Sequence, residues 1–136
     1  MESRIKDVEM LDTCVVLRMI LRDVPEQAKR AVKILSRKGK RFYISEMVIY
    51  EAAYVMEKRM EMPREYIVDS LKDFLSGENI CNGVGIFSGV FQMYLEHPKL
   101  SFADCYLAVQ AGSQGTTPLW TFDRKLAGQT EEGELA

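Results

Sequence analysis

With 136 residues, 47% of them hydrophobic and 28% charged, and a net charge of −2, the chain has the balance of an ordinary single globular domain. No apolar run reaches the about 20 residues that a membrane-spanning helix needs, and residues 1–7 (Met-Glu-Ser-Arg-Ile-Lys-Asp) lack the apolar core of a signal peptide. A cytoplasmic protein with no membrane partner is therefore expected, and the three widely spaced cysteines, Cys14, Cys81 and Cys105, read as reduced thiols rather than a disulfide framework or a zinc site.

In chain order, Val8 to Leu11 reads as a short strand ending at Asp12, and Thr13 to Arg22 as an apolar helix. Pro25 suits the first turn of a helix that buries Ala28, Ala31, Val32 and Leu35 and stops at Gly39. Arg41 to Ile44 is a second strand. Ser45 caps a long helix to about Met60, with Glu46 in its first turn. Pro63 opens a helix ended by Gly77. Residues 79–85 read as a short strand and turn. Helices are expected at Phe87–His97 and Ser101–Ala111, then a last strand at Pro118–Phe122 ending at Asp123. Residues 128–136 read as a flexible, frayed acidic tail after a domain spanning 1–127. Strands alternating with helices imply a parallel sheet covered by helices, with sites at the carboxyl ends of the strands.

Charge is uneven along the chain. Residues 1–68 hold 14 Lys/Arg against 11 Asp/Glu, and residues 69–136 hold 4 against 9. The basic excess, including Lys29, Arg30, Lys33 and Arg37, is either a phosphate-contacting face or a solvated helix face. The single histidine, His97, precedes Pro98 at an expected helix end, which offers no Ser-His-Asp or Cys-His chemistry.

Four acids, Asp12, Glu51, Asp104 and Asp123, stand nearly alone in apolar stretches. Asp104 is the only charged residue between Lys99 and Asp123, and Glu51 the only one between Glu46 and Glu57. Acidic side chains are seldom buried unless they are paired or bind a cation. Asp12 and Asp123 follow expected strands, and Glu51 and Asp104 fall early in helices that can start on the same side. Structural explanations exist for each. Asp12 can cap the helix after it, Asp104 can complete a capping box with Ser101, and Asp123 can serve a turn. Glu51 is harder to explain, because its helical neighbours are Met47, Val48, Tyr54 and Val55; it needs either a salt bridge, from Arg18 or Arg22, or a shared metal. Two carboxylates about 5 Å apart repel by about 3 kcal/mol at an effective dielectric near 20, so four together call for a cation. Hard carboxylate donors suit Mg²⁺ or Mn²⁺, which would let the protein hydrolyse phosphodiesters.

These residues also resemble a known family. Leu11-Asp12-Thr13, Ile44-Ser45 with Glu51-Ala-Ala-Tyr54-Val55, Ser101-Phe-Ala-Asp104-Cys-Tyr-Leu-Ala108, and Trp120-Thr121-Phe122-Asp123-Arg-Lys-Leu126 are together similar to a PIN domain over about residues 8–127, closest to the VapC-like toxin nucleases. The resemblance implies a three-layer α/β/α sandwich with a central, mostly parallel sheet and Mg²⁺- or Mn²⁺-dependent ribonuclease activity. It assigns Asp12, Glu51, Asp104 and Asp123 as the metal-binding and catalytic acids, with Thr13 and Thr121 supporting them. It further implies homodimers, and an antitoxin that inserts a segment into the active-site groove. One departure is Cys14, where the family usually has asparagine beside the first acid.

Other functions are open at this level. A housekeeping RNA-processing nuclease would share the chemistry without arresting growth. A phosphoacceptor signalling domain also places aspartates at strand ends, and Lys125 follows the last strand, but no acidic doublet precedes the first helix. A non-catalytic RNA-binding module would use the basic segment without metal-dependent cleavage.

Overall fold

The structure, a computed structural model, describes residues 7–136. The expected absence of a leader in residues 1–6 lies outside the described residues. The chain divides into two compact units, Met1–Val84 and Gly85–Ala136. No helix among the described residues is long and apolar enough to cross a membrane.

In the first unit, β1 (Val8–Met10) leads through α1 (Thr13–Leu21) and α2 (Pro25–Leu35) to β2 (Arg41–Tyr43). The two strands pair in parallel with Glu9 opposite Phe42. Parallel pairing demands a long crossover, and two helices supply it. Pro25 occupies the start of α2, where its missing N–H costs nothing. A third segment joins by one parallel bridge, Phe42 to Ile80, closed by Phe42 N–H to Asn79 O at 2.7 Å and Cys81 N–H to Phe42 O at 2.9 Å. Asn82 extends the pairing, its Oδ1 accepting from Ile44 N at 3.2 Å and its Nδ2 donating to Ile44 O. The expected strand near residue 80 is thus reduced to one bridge.

Ser45 caps α3 (Glu46–Tyr54), accepting from Met47 N at 3.3 Å. The expected long helix changes character at Val55, where a π-helical stretch, Val55–Arg59, closes with Met60 N–H to Val55 O at 3.0 Å. α4 (Arg64–Leu75) follows. Phe42, Ile44, Ile49, Met56, Ile67 and Leu71 are fully buried.

The second unit holds α5 (Phe87–Glu96), α6 (Phe102–Gln114), β3 (Leu119–Thr121), α7 (Arg124–Gln129) and β4 (Gly133–Leu135). Aromatic rings knit α5 to α6: Phe102 stacks on Phe87 at 6.1 Å and meets the Tyr94 edge at 5.2 Å. Such pairs add about 0.5–1.5 kcal/mol each beyond the area they bury. Gly115 ends α6 at φ +69°, a left-handed conformation that costs glycine little.

Two expectations are corrected here. First, the segment read as a frayed tail carries β4, which pairs in parallel with β3, Trp120 opposite Glu134. The polar composition hid it because the strand is held by backbone groups: Leu119 N–H to Glu132 O at 2.7 Å and Ala136 N–H to Thr121 O at 2.9 Å. Second, the hydrogen-bonded strands among the described residues form two two-stranded parallel sheets, one in each unit, rather than one continuous ladder. The α/β character stands.

Candidate functional site

Asp12 sits directly after β1 and caps α1. Its Oδ1 accepts from Thr13 N at 2.7 Å, while its Oδ2 meets the Cys14 thiol at 3.6 Å. Thr13 then reaches a different element, its hydroxyl donating to Glu51 Oε1 on α3 at 2.6 Å. Asp12 and Glu51 are therefore gathered at one place, linked through Thr13. This contact joins positions 38 residues apart, and residue spacing gives no sign of it.

Glu51 departs from the sequence reading. It is exposed rather than buried. Val48, Ile49, Ala52 and Ala53 take the inward side of α3, and Glu51 lies roughly opposite Ile49 at 3.6 residues per turn. Met47, Tyr50 and Tyr54 share its outward side and are themselves exposed, Met47 by 70%. The apolar sequence around Glu51 therefore does not make a buried environment, and desolvation does not compel a counter-charge. Arg18, one suggested counter-ion, pairs with Asp23 instead.

In the second unit Asp104 completes the expected capping box. Ser101 Oγ accepts from Asp104 N at 3.0 Å, and Ser101 N donates to Asp104 Oδ2 at 3.2 Å. Asp123 follows β3 and caps α7, its Oδ1 accepting from Lys125 N at 2.8 Å and from Leu126 N at 3.4 Å. Thr121 Oγ1 accepts from Asp123 N at 2.9 Å, fixing the backbone that carries this acid. Both acids are half-buried.

The local explanations for Asp12 and Asp104 therefore hold as structure, and Asp123, expected to serve a turn, caps a short helix instead. These bonds do not use up every carboxylate. Asp12 engages both oxygens, one with the Thr13 N–H and one with the Cys14 thiol, whereas Glu51 Oε2, Asp104 Oδ1 and Asp123 Oδ2 have no hydrogen bond to another described residue. None of the four forms an ion pair with a described residue. Hard, unneutralised oxygen donors held by caps fit a hard divalent cation in chemistry. Among the described residues, no group of three or more His, Cys, Asp or Glu stands together as a metal site.

The basic segment divides. Lys29, Arg30 and Lys33 are exposed on α2. Arg37 is engaged: it pairs with Glu9, donates from Nε to Ile34 O at 3.0 Å, and lies 5.9 Å from the centre of the Phe42 ring. Its candidate role in RNA contact is thus tied to a structural one. The Glu9 carboxyl is held below its usual range by the Arg37 hydrogen bond and, further, by Lys40. His97 ends α5, as expected, with Nδ1 3.1 Å from Gln129 Oε1.

The PIN domain family matches residues 10–130, nearly the whole chain. The chain belongs to the PIN domain family. PIN domains are generally nucleases that use divalent metals and act on RNA. No curated protein and no solved structure matches the chain significantly.

Proposed function

We propose that this PIN-domain protein is a divalent-metal-dependent endoribonuclease acting on single-stranded RNA, and that it is the toxin of a toxin–antitoxin pair. The observation that carries the nuclease reading is the family match over residues 10–130, within which all four acids are retained. Asp12, Glu51, Asp104 and Asp123 would hold Mg²⁺ or Mn²⁺. When bound, such an ion activates water and neutralises charge developing on the departing oxygen.

The chain's own residues hold and orient. Backbone N–H groups at the starts of α1 and α7 fix one oxygen each of Asp12 and Asp123, so these carboxylates are set before substrate arrives. Lys29, Arg30 and Lys33 supply phosphate contacts. Exposed aromatic residues lie beside two acids: Tyr50 and Tyr54 with Glu51, and Phe122, 86% exposed, before Asp123. Unpaired bases stack on such rings, which supports single-stranded RNA as substrate. In the reaction a water oxygen bonds to phosphorus, one phosphorus–oxygen ester bond breaks, and the departing oxygen takes up a proton.

On this reading the chain, with β4 included, acts as one nuclease domain of three layers, α/β/α, in a cytoplasmic homodimer restrained by an antitoxin. The test is cleavage of a mixed RNA pool with Mn²⁺, Mg²⁺ or EDTA, by wild type and Asp104→Asn. Metal-dependent cutting that the variant lacks is expected. A folded wild-type protein that binds RNA but never cuts it points instead to a binding module. Cutting without growth arrest on expression assigns the enzyme to RNA processing rather than to a toxin.

A further inference from the structure

Thr13 touches two of the candidate acids with different atoms. Its backbone N–H donates to Asp12 Oδ1 at 2.7 Å, and its hydroxyl donates to Glu51 Oε1 at 2.6 Å. The second bond has the length of a charge-assisted O–H···O⁻ contact, about twice as strong as a neutral one. It spans β1–α1 on one side and α3 on the other, and Glu51 forms no ion pair with a described residue that would otherwise steer it. The glutamate is exposed on a helix face, where a free side chain would sample several rotamers.

We infer that Thr13 is a positioning residue that sets Asp12 and Glu51 as a preformed pair for a divalent cation. The inference rests on the metal-dependent reading above and gives the supporting role that the resemblance implies for Thr13 a specific geometry, one residue bonded to both acids. The hydroxyl fixes the Glu51 rotamer and engages Oε1, leaving Oε2 for the ion. The same residue's N–H fixes Asp12, so a single turn of chain sets the separation of both carboxylates. Valine at this position keeps the shape and the backbone bond but removes the hydroxyl. Serine keeps the hydroxyl and removes only the methyl group.

The experiment is a Mn²⁺ titration of the full chain followed by the electron paramagnetic resonance signal of free Mn²⁺. Wild type, Thr13→Val and Thr13→Ser are compared, with RNA cleavage measured in parallel across Mn²⁺ concentrations. Loss of such a supporting hydrogen bond typically weakens metal binding about 10- to 100-fold. Thr13→Val is expected to weaken Mn²⁺ binding by at least about tenfold and to raise the Mn²⁺ needed for half-maximal cleavage in proportion, with Thr13→Ser restoring both. If Thr13→Val does not fold, Thr13→Ala reads the same loss of hydroxyl. Unchanged Mn²⁺ affinity in the hydroxyl-free variant overturns the inference and leaves the nuclease reading standing. A serine variant as weak as valine also overturns it, because the methyl contact would then be the cause. A wild-type protein that neither binds Mn²⁺ nor cuts RNA overturns both readings together.

Discussion

Arg37, in the loop after α2, pairs with Glu9 of β1 across 28 residues of sequence. The pair ties the crossover back to the strand it left, and the guanidinium lies against the buried Phe42 ring of the neighbouring strand. A residue that composition groups with an RNA-binding face is thereby engaged in the fold.

Acid sensitivity follows from that pair and from Arg18 with Asp23. The Arg37 hydrogen bond lowers the Glu9 pKa, and the Arg18 hydrogen bond lowers that of Asp23. A depressed folded-state pKa stabilises the fold above the unfolded value and loses that contribution as pH falls through the folded value. Melting temperature should therefore decline as pH drops below about 4.5, and the decline should be shallower in Glu9→Gln. Both carboxylates are solvent-exposed, so the effect should be small and should shrink further in 1 M salt. Equal acid slopes in wild type and Glu9→Gln would remove the pair from the account.

RNA affinity should separate the basic residues. Lys29→Ala, Arg30→Ala and Lys33→Ala are each expected to lower affinity and reduce the slope of log K against log salt by about 1, at unchanged melting temperature. Arg37→Ala should instead lower the melting temperature. Filter binding at several salt concentrations, with thermal melts, reads both. An Arg37→Ala variant that melts like wild type but loses RNA affinity would reverse the assignment.

Capping and chemistry should come apart at the start of α6. Ser101→Ala removes the acceptor for Asp104 N and should cost about 1 kcal/mol, a few degrees of melting temperature. Cleavage should persist at permissive temperature. Asp104→Asn keeps an oxygen for the Ser101 N–H and should melt near wild type, yet lose cleavage by at least about 100-fold if the carboxylate serves the reaction. Asp12→Asn and Glu51→Gln should behave like Asp104→Asn. Circular dichroism melts alongside RNA gels measure each effect; unfolding by Asp104→Asn would make the cap the dominant role.

The last strand offers a test of close packing. A Cβ on Gly133 would stand 2.8 Å from Leu126 O and 2.9 Å from Thr130 Oγ1. Gly133→Ala should therefore destabilise the protein by about 1–3 kcal/mol through the displacement of β4. Gly128 lies in α7 with open space around its Cβ position, so Gly128→Ala should be neutral or stabilising by up to about 1 kcal/mol. Urea denaturation of the two variants compares them directly, and equal stability would show that β4 shifts at no cost.

By itself the sequence determined what depends on near neighbours. Asp12, Ser45 and Ser101 with Asp104 were legible as helix starts because a cap bonds to N–H groups one to three residues away, whereas the short helix that Asp123 caps was not expected. Pro25 marked a helix start through its own backbone limits, while α6 ran past the expected end at Ala111 to Gln114. The PIN resemblance was legible for a similar reason, as short runs around each acid in a particular order. Tertiary structure alone decided the rest. Glu51 is exposed because Ile49, Ala52 and Ala53 claimed the inward side of α3, a choice made by what packs against that helix. Arg18 took Asp23, Arg37 took Glu9, and Thr13 took Glu51 because folding brought those groups within reach. β4 formed in a polar segment because the free edge of β3 offered backbone partners, and backbone hydrogen bonds do not depend on which side chains flank them.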